Sequence, residues 1–241
     1  MAEQPDLFAP GVSEAGPLAR LASSLCMDDL QGRFAAGEVA SLDEGDTLAL
    51  VLHHCLAPDA DAVSAADALL ARFGGVARVL GAPEADIARV IGASAAQRLS
   101  LLHALLLRVL EHPLRTRTIL TSTESVRTYL RAKLTALPRE VFHVLFLDKK
   151  NQLIADERMG VGSVDHAPVY PREVIRRALE LSASAIVLAH NHPSGDPTPS
   201  SADIEMTKQV MAAAKALQIA VHDHMIVGAG EVASLRGLGL M

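Results

Sequence analysis

Tryptophan is absent from this sequence, and all aromatic residues together supply only 3% of its 241 positions. A core without large rings has to be filled by Ala, Leu, Val and Ile, which suit helices packed on a buried sheet. Half of the residues are hydrophobic, so one large or two small domains are within reach. Cysteine is nearly as scarce. Cys26 and Cys55 make neither a Cys-x-x-Cys pair nor a disulfide framework; they read as small apolar residues, and their scarcity suits a reducing compartment. Long apolar runs are missing too: Leu99 to Leu110 is interrupted by His103 and Arg108 and is too short to span a bilayer. Met1 to Pro10 lacks the basic start and apolar block of a signal peptide. The expectation is a soluble cytoplasmic protein with no membrane partner.

Positive charge is also in deficit, with 22 Lys/Arg against 28 Asp/Glu and a net charge of −6. The deficit lies in the first half: residues 1–120 carry 9 Lys/Arg and 15 Asp/Glu, whereas residues 121–241 carry 13 of each. Nucleic-acid affinity comes largely from cations that neutralise phosphates. This balance supplies no global attraction, which disfavours DNA as a partner and leaves room only for a local basic patch.

What is present divides the chain. Residues 1–40 show no clear period and read as a poorly ordered start, with a short helix around Leu18 to Leu25. Residues 41–113 read as a helical domain. Ser41 caps a first helix, Ser64 to Phe73 forms a second that stops at Gly74 and Gly75, and two short helices cover Val76–Leu80 and Glu84–Val90. A long helix, Ala95 to Glu111, ends at His112 and Pro113. Residues 114–123 read as a linker, and residues 124–241 as an α/β domain. In that domain Glu124–Leu134 is a helix, and Val141–Leu147 is apolar enough for a strand covered on both faces. Leu153–Val161 is its hairpin partner. A helix begins at Pro171, Ala185–Ala189 is a buried strand, and Asp203–Leu217 is a helix whose Met206, Val210, Ala213 and Leu217 form a core stripe. Ile219–Val227 and Glu231–Leu235 close a mixed sheet.

The chemistry concentrates after Ala185–Ala189, at His190, Asn191, His192, Pro193, Ser194 and Gly195, with Ser200 and Asp203 close behind. Side chains two apart on a strand share a face, so His190 and His192 can converge. Pro193, Gly195, Pro197 and Pro199 make a turn, and Ser200 caps a helix that carries Asp203 in its first turn, facing back toward the strand end. Two imidazoles and one carboxylate are the protein ligands of an open zinc site. The plain alternative is that Ser200 and Asp203 form only a capping box. The combination at fixed offsets favours a Zn²⁺ site with His190, His192 and Asp203 as ligands.

These residues resemble the His-x-His-Pro…Ser-x-x-Asp signature of the JAMM (MPN-type) metallopeptidases, and His190 to Gly195 with Pro199 and Ser200 resembles the RadC branch. Tyr170 to Val174 and Asp223 to Gly228 are similar to further RadC stretches. The resemblance covers residues 120–241 closely. It implies a JAMM/MPN-like mixed sheet flanked by helices and preceded by a small all-α domain, here helix-hairpin-helix-like. Such a hairpin normally shows Gly-x-Gly; after Gly92 and Ala93 this chain has Ser94, which weakens the case for phosphate contacts. The resemblance further implies a zinc-dependent hydrolase acting on a peptide or protein substrate, with Glu140 as general base and Ser200 donating to the oxyanion. For Glu140 the alternative is a surface glutamate paired with Arg139 or Lys133, and Glu157 is a rival base in a run that looks solvated. His222 and His224, with Asp223 between them, read as a supporting pair in which a carboxylate orients an imidazole, or as structural residues. His53, His54, His103 and His112 read as structural or solvent-facing, and His166 as a loop residue near the cleft. Two other functions stay open: DNA repair through the helical domain, the role attached to the RadC name, and a non-catalytic module held by zinc. A zinc deaminase is excluded, because His-x-Glu with Pro-Cys-x-x-Cys is missing.

Overall fold

Every residue of Val141–Leu147 is buried, as a strand with both faces covered requires. The computed structural model describes residues 26–58, 60–119, 123–162 and 169–241, and this strand, β1, is near the middle of its sheet. β2 (Leu153–Val161), β3 (Ala185–Asn191), β4 (Ala220–Val227) and β5 (Val232–Ser234) complete the order β2-β1-β3-β4-β5. β1 runs antiparallel to both β2 and β3, β3 pairs parallel with β4, and β4 pairs antiparallel with β5. The result is a mixed-sheet α/β fold of the expected class.

Alternation along the strands builds two cores. Leu145, Leu147, Val187, Ala189 and Met225 face α6 (Ala93–Thr116) and α7 (Thr123–Leu134). Phe142, Val144, Phe146, Ile186 and Leu188 face α8 (Pro171–Glu180) and α9 (Ser201–Ala216). The helical half has its own core of Leu30, Leu48, Leu52, Leu69, Ile87 and Leu99. Its further helices are α1 (Met27–Ala35), α2 (Glu44–Cys55), α3 (Ala62–Phe73), α4 (Val76–Gly81) and α5 (Glu84–Ile91). No described helix is long and apolar enough to cross a membrane, and Cys26 and Cys55 are both free.

Several boundaries move from their sequence-based positions. Part of the segment read as poorly ordered forms α1, which buries Leu30; the helix expected at residues 18–25 lies outside the described residues. Asp43 rather than Ser41 caps α2, its carboxylate accepting from the Asp46 amide at 2.7 Å. α6 does not stop at Pro113 but continues to Thr116, through three residues read as linker. An internal proline costs a helix about 3 kcal/mol. Here Leu114, 1% exposed, plugs into the sheet-side core, and Arg115 binds Glu111 at 2.7 Å and the Ile154 carbonyl at 2.9 Å. Tertiary contacts thus outweigh the local preference. On α9 the buried line is Asp203, Thr207, Val210 and Ala214, and Leu217 is 48% exposed.

One polar cluster ties α7 to the sheet. Asp156, its side chain 2% exposed, accepts hydrogen bonds from Tyr129 Oη at 2.7 Å, Lys133 Nζ at 2.6 Å and His143 Nδ1 at 2.7 Å. Burial pushes the Asp156 carboxyl up, but the hydrogen bond and charge of His143, with Lys133, outweigh it and bring it down to about 2. A depressed carboxyl stabilises the fold above its unfolded pKa of about 3.9 and loses that contribution as pH falls toward about 2. The contribution is on the order of 2 kcal/mol. Denaturant unfolding between pH 5 and pH 2 should show that loss in the native chain. In Asp156→Asn the same interval should be flatter, and stability at pH 7 should be lower by at least this amount.

Candidate metal centre

β3 ends at Asn191 rather than at Ala189, so His190 is inside the strand. His192 follows, still tethered to β4 by its amide, which donates to the Val227 carbonyl at 2.9 Å. α9 begins just beyond the turn. Ser200 caps it by the reciprocal box that its spacing predicts, the hydroxyl accepting from the Asp203 amide at 3.2 Å and donating to Asp203 Oδ2 at 2.6 Å. That box aims Asp203 back at the strand end. His190 Nε2 is 2.9 Å from His192 Nε2 and 3.3 Å from Asp203 Oδ1, and His192 Nε2 is 3.7 Å from Asp203 Oδ2. The three ligand atoms all lie within 4.8 Å of one another.

The protons in this cluster follow from its hydrogen bonds. Thr207 Oγ1 gives its single proton to the Asp203 carbonyl at 2.5 Å. It must therefore accept from His224 Nδ1, 2.6 Å away. His224 is completely buried, and burial pushes its imidazole well below the usual histidine range. Being neutral, with its proton on Nδ1, it presents a lone pair at Nε2, which accepts from His190 Nδ1 at 2.8 Å. His190 Nε2 is then a lone pair as well. His192 Nδ1 donates to the Asp196 carbonyl at 2.7 Å, which leaves the neutral form of His192 with an acceptor at Nε2. Two imidazole lone pairs and a carboxylate consequently point at one another. Such a set requires a cation or a proton between its members.

A divalent metal fits it. Tetrahedral bonds of about 2.0 Å set ligand atoms about 3.3 Å apart, and the observed separations of 2.9, 3.3 and 3.7 Å bracket that value. Without a metal a proton takes its place: burial would raise the Asp203 carboxyl, but a hydrogen bond from protonated His192, a charge on His190 and the Ser200 hydroxyl hold it well below the usual carboxylate range. The Asp203 carboxylate in turn raises His192 against the effect of burial, with smaller help from the Asp196 carbonyl and from Glu140. His190 is 1% exposed and His192 17%, so the cluster opens to solvent on the His192 side.

Glu140 is buried close to this cluster, 8% exposed. It directly precedes β1, whose Phe142 pairs with His190 across antiparallel strands, and its charge acts on His192. Its backbone is fixed on both sides: its carbonyl accepts from Gly162, and the next amide, of Val141, donates to Asn191 Oδ1 at 2.9 Å. Lys133, one sequence-based partner for Glu140, is taken by Asp156 and Tyr129. The rival Glu157 is partly exposed, as its charged run suggests, and is ion-paired away from the cluster. Arg177 holds both of its oxygens, at 2.5 and 2.7 Å, on the α8 side.

Three contributors escaped or were misassigned in the sequence. Asn191 stands between two histidines, and its amide binds the Leu137 and Arg139 carbonyls besides the Val141 amide, clamping the segment that carries Glu140. A fully buried amide needs such partners, and that was the available signal. Thr207 could have been found one turn after Asp203 on the same helix face. The pair His222 and His224 does not act together. A bulge between the Ile186–Val221 and Val187–Asp223 pairings breaks their alternation. His224 supports His190, whereas His222 turns to Asn151 Oδ1 at 2.6 Å. Asp223 orients neither ring; it accepts from Ser234 Oγ, the His224 amide and the Arg236 amide. His103 donates to the Ala132 carbonyl at 2.9 Å and joins the helical half to α7. His166 lies outside the described residues.

Residues 120–240, just over half of the chain, match the model of the family described as the RadC-like JAB domain. All of the residues named for the metal cluster, its support and Glu140 fall inside that match.

Proposed function

The chain belongs to the RadC-like JAB domain family, and on that premise we propose that it is a zinc-dependent hydrolase of the JAMM type that cleaves a peptide or isopeptide bond. One observation carries this reading: His190, His192 and Asp203 converge as three acceptors, and the buried Glu140 directly precedes β1, whose Phe142 pairs with His190. Two imidazole nitrogens and one carboxylate oxygen, with an open side, are a zinc donor set. When bound there, zinc supplies Lewis-acid polarisation of the scissile carbonyl and acidifies a water at its open position.

The chain's own residues do the rest. Thr207 and His224 fix the tautomer of His190, and the Asp196 carbonyl fixes that of His192, so both present lone pairs. Glu140 takes a proton from the attacking water and returns it to the leaving amine. Ser200 holds Asp203 in place, and its hydroxyl is the proposed donor to the developing oxyanion; that second role requires its proton to leave Asp203 Oδ2 for the substrate oxygen.

The test is a survey of products. Incubated with a complex peptide library and with isopeptide-linked substrates, the zinc-loaded chain should cleave a subset. 1,10-Phenanthroline should stop cleavage, and added zinc should restore it. Peptides left intact under zinc-replete conditions, or cleavage indifferent to chelation, would contradict the proposal.

A further inference from the structure

We propose that the cleft between the helical half and the turn after His192 is a carboxylate-binding subsite, in which Arg72 and Arg78 take an acidic group of a peptide substrate. The inference rests on the hydrolase reading only for calling the bound peptide a substrate. The cleft has a volume of about 220 Å³ and is lined by Arg72, Phe73 and Arg78 from one half and by Leu137, His192 and Gly195 from the other. His192 therefore belongs both to the metal cluster and to the wall of this cleft. A ligand in the cleft lies next to the reacting bond.

The packing explains why the helical half reaches so far. A Cβ on Gly81 would come within 2.8 Å of the Ala136 Cβ, so α4 meets the end of α7 at a distance only glycine allows. His103 fixes the same junction through the Ala132 carbonyl. α4 then presents Arg78 over the metal-site turn, its Nη2 3.7 Å from where a Cβ on Gly195 would stand. Gly195 itself has φ +89°, so the turn carries no side chain into that space. Arg72 arrives at the end of α3, its guanidinium 5.6 Å from the centre of the Phe73 ring.

Charge gives the ligand its class. Among the described residues neither Arg72 nor Arg78 is ion-paired, whereas Arg89, Arg115, Arg176 and Arg177 each hold a carboxylate. Two arginines lining one small cleft, in a half of the chain that is net acidic, select an anion that fits their fork geometry. The volume suits one or two residues of an extended peptide, and two cations are few for a nucleic-acid backbone, whose affinity grows with the number of phosphates neutralised. A carboxylate is the remaining match, supplied by an Asp or Glu side chain or by a free C-terminus.

The experiment measures binding by fluorescence anisotropy on the zinc-loaded chain carrying Glu140→Gln, which slows cleavage of bound peptide about 10²-fold or more. The probes are labelled hexapeptides of one composition: amidated with a single Glu, amidated with Gln in its place, and the Gln peptide with a free C-terminus. At least one carboxylate-bearing probe should bind about tenfold or more tighter than the amidated Gln peptide, the scale of a charge-assisted pair. Which one does so identifies the source of the carboxylate. Arg78→Gln and Arg72→Gln should each reduce that preference and the double variant should abolish it, with Arg78→Lys restoring part of it. The melting temperature should stay constant across the series. No carboxylate preference, or one that survives in the double variant, overturns the subsite. So does a single-stranded oligonucleotide that binds more tightly than every peptide through the same arginines. A parallel hydrolysis assay on the native chain keeps the two proposals separate: cleavage without acid preference removes the subsite alone, and acid-selective binding without any cleavage removes the hydrolase alone.

Discussion

Glu140→Gln should lower peptide hydrolysis by about 10²-fold or more, the scale of a lost acid–base group, while zinc content and melting temperature stay at their native values. Glutamine keeps the size of the side chain and can still accept and donate hydrogen bonds, but it cannot carry a proton from water to a leaving amine. The backbone that positions residue 140 depends on its carbonyl and on the Asn191 clamp, neither of which the substitution touches. Metal content should be unaffected because the three convergent acceptors do not include Glu140. Glu157→Gln is the control. It releases Arg177 on the α8 side, and an exposed ion pair contributes little, so turnover should stay within a few-fold of native. If Glu157→Gln abolishes turnover and Glu140→Gln leaves it intact, the base is wrongly assigned.

The legible part of this chain was the part governed by short-range rules. β1 could be bounded from its apolar run, α8 from Pro171 at its first position, and the metal group from His190, His192 and Asp203 at strand and helix spacing. The capping box that suggested a merely structural Asp203 is also present, and the two readings turn out to be one: the cap is what aims the ligand. Features set by distant contacts were not legible. Nothing local to Pro113 says that Leu114 will find a core to fill, so the sequence alone ends the helix there. Nothing within β4 announces the bulge that separates His222 from His224. The junction of Gly81 with Ala136, which brings Arg78 to the metal-site turn, joins residues more than fifty positions apart.

The metal is the other large expectation, and it follows from the proton chain rather than from spacing alone. With Thr207, His224 and Asp196 fixing both ligand tautomers, His190 and His192 offer lone pairs to the same point that Asp203 faces. Removing both imidazoles leaves a single carboxylate, far short of the three protein ligands such a site needs. His224→Ala acts differently: it keeps all three ligands but frees the His190 ring, and loss of a supporting partner typically weakens metal affinity 10- to 100-fold. The most direct test of the account is the zinc content of the purified, dialysed chain beside that of His190→Ala/His192→Ala, measured by elemental analysis on folded protein. The account predicts about one zinc per chain in the native protein and essentially none in the double variant; equal zinc in the two would contradict it.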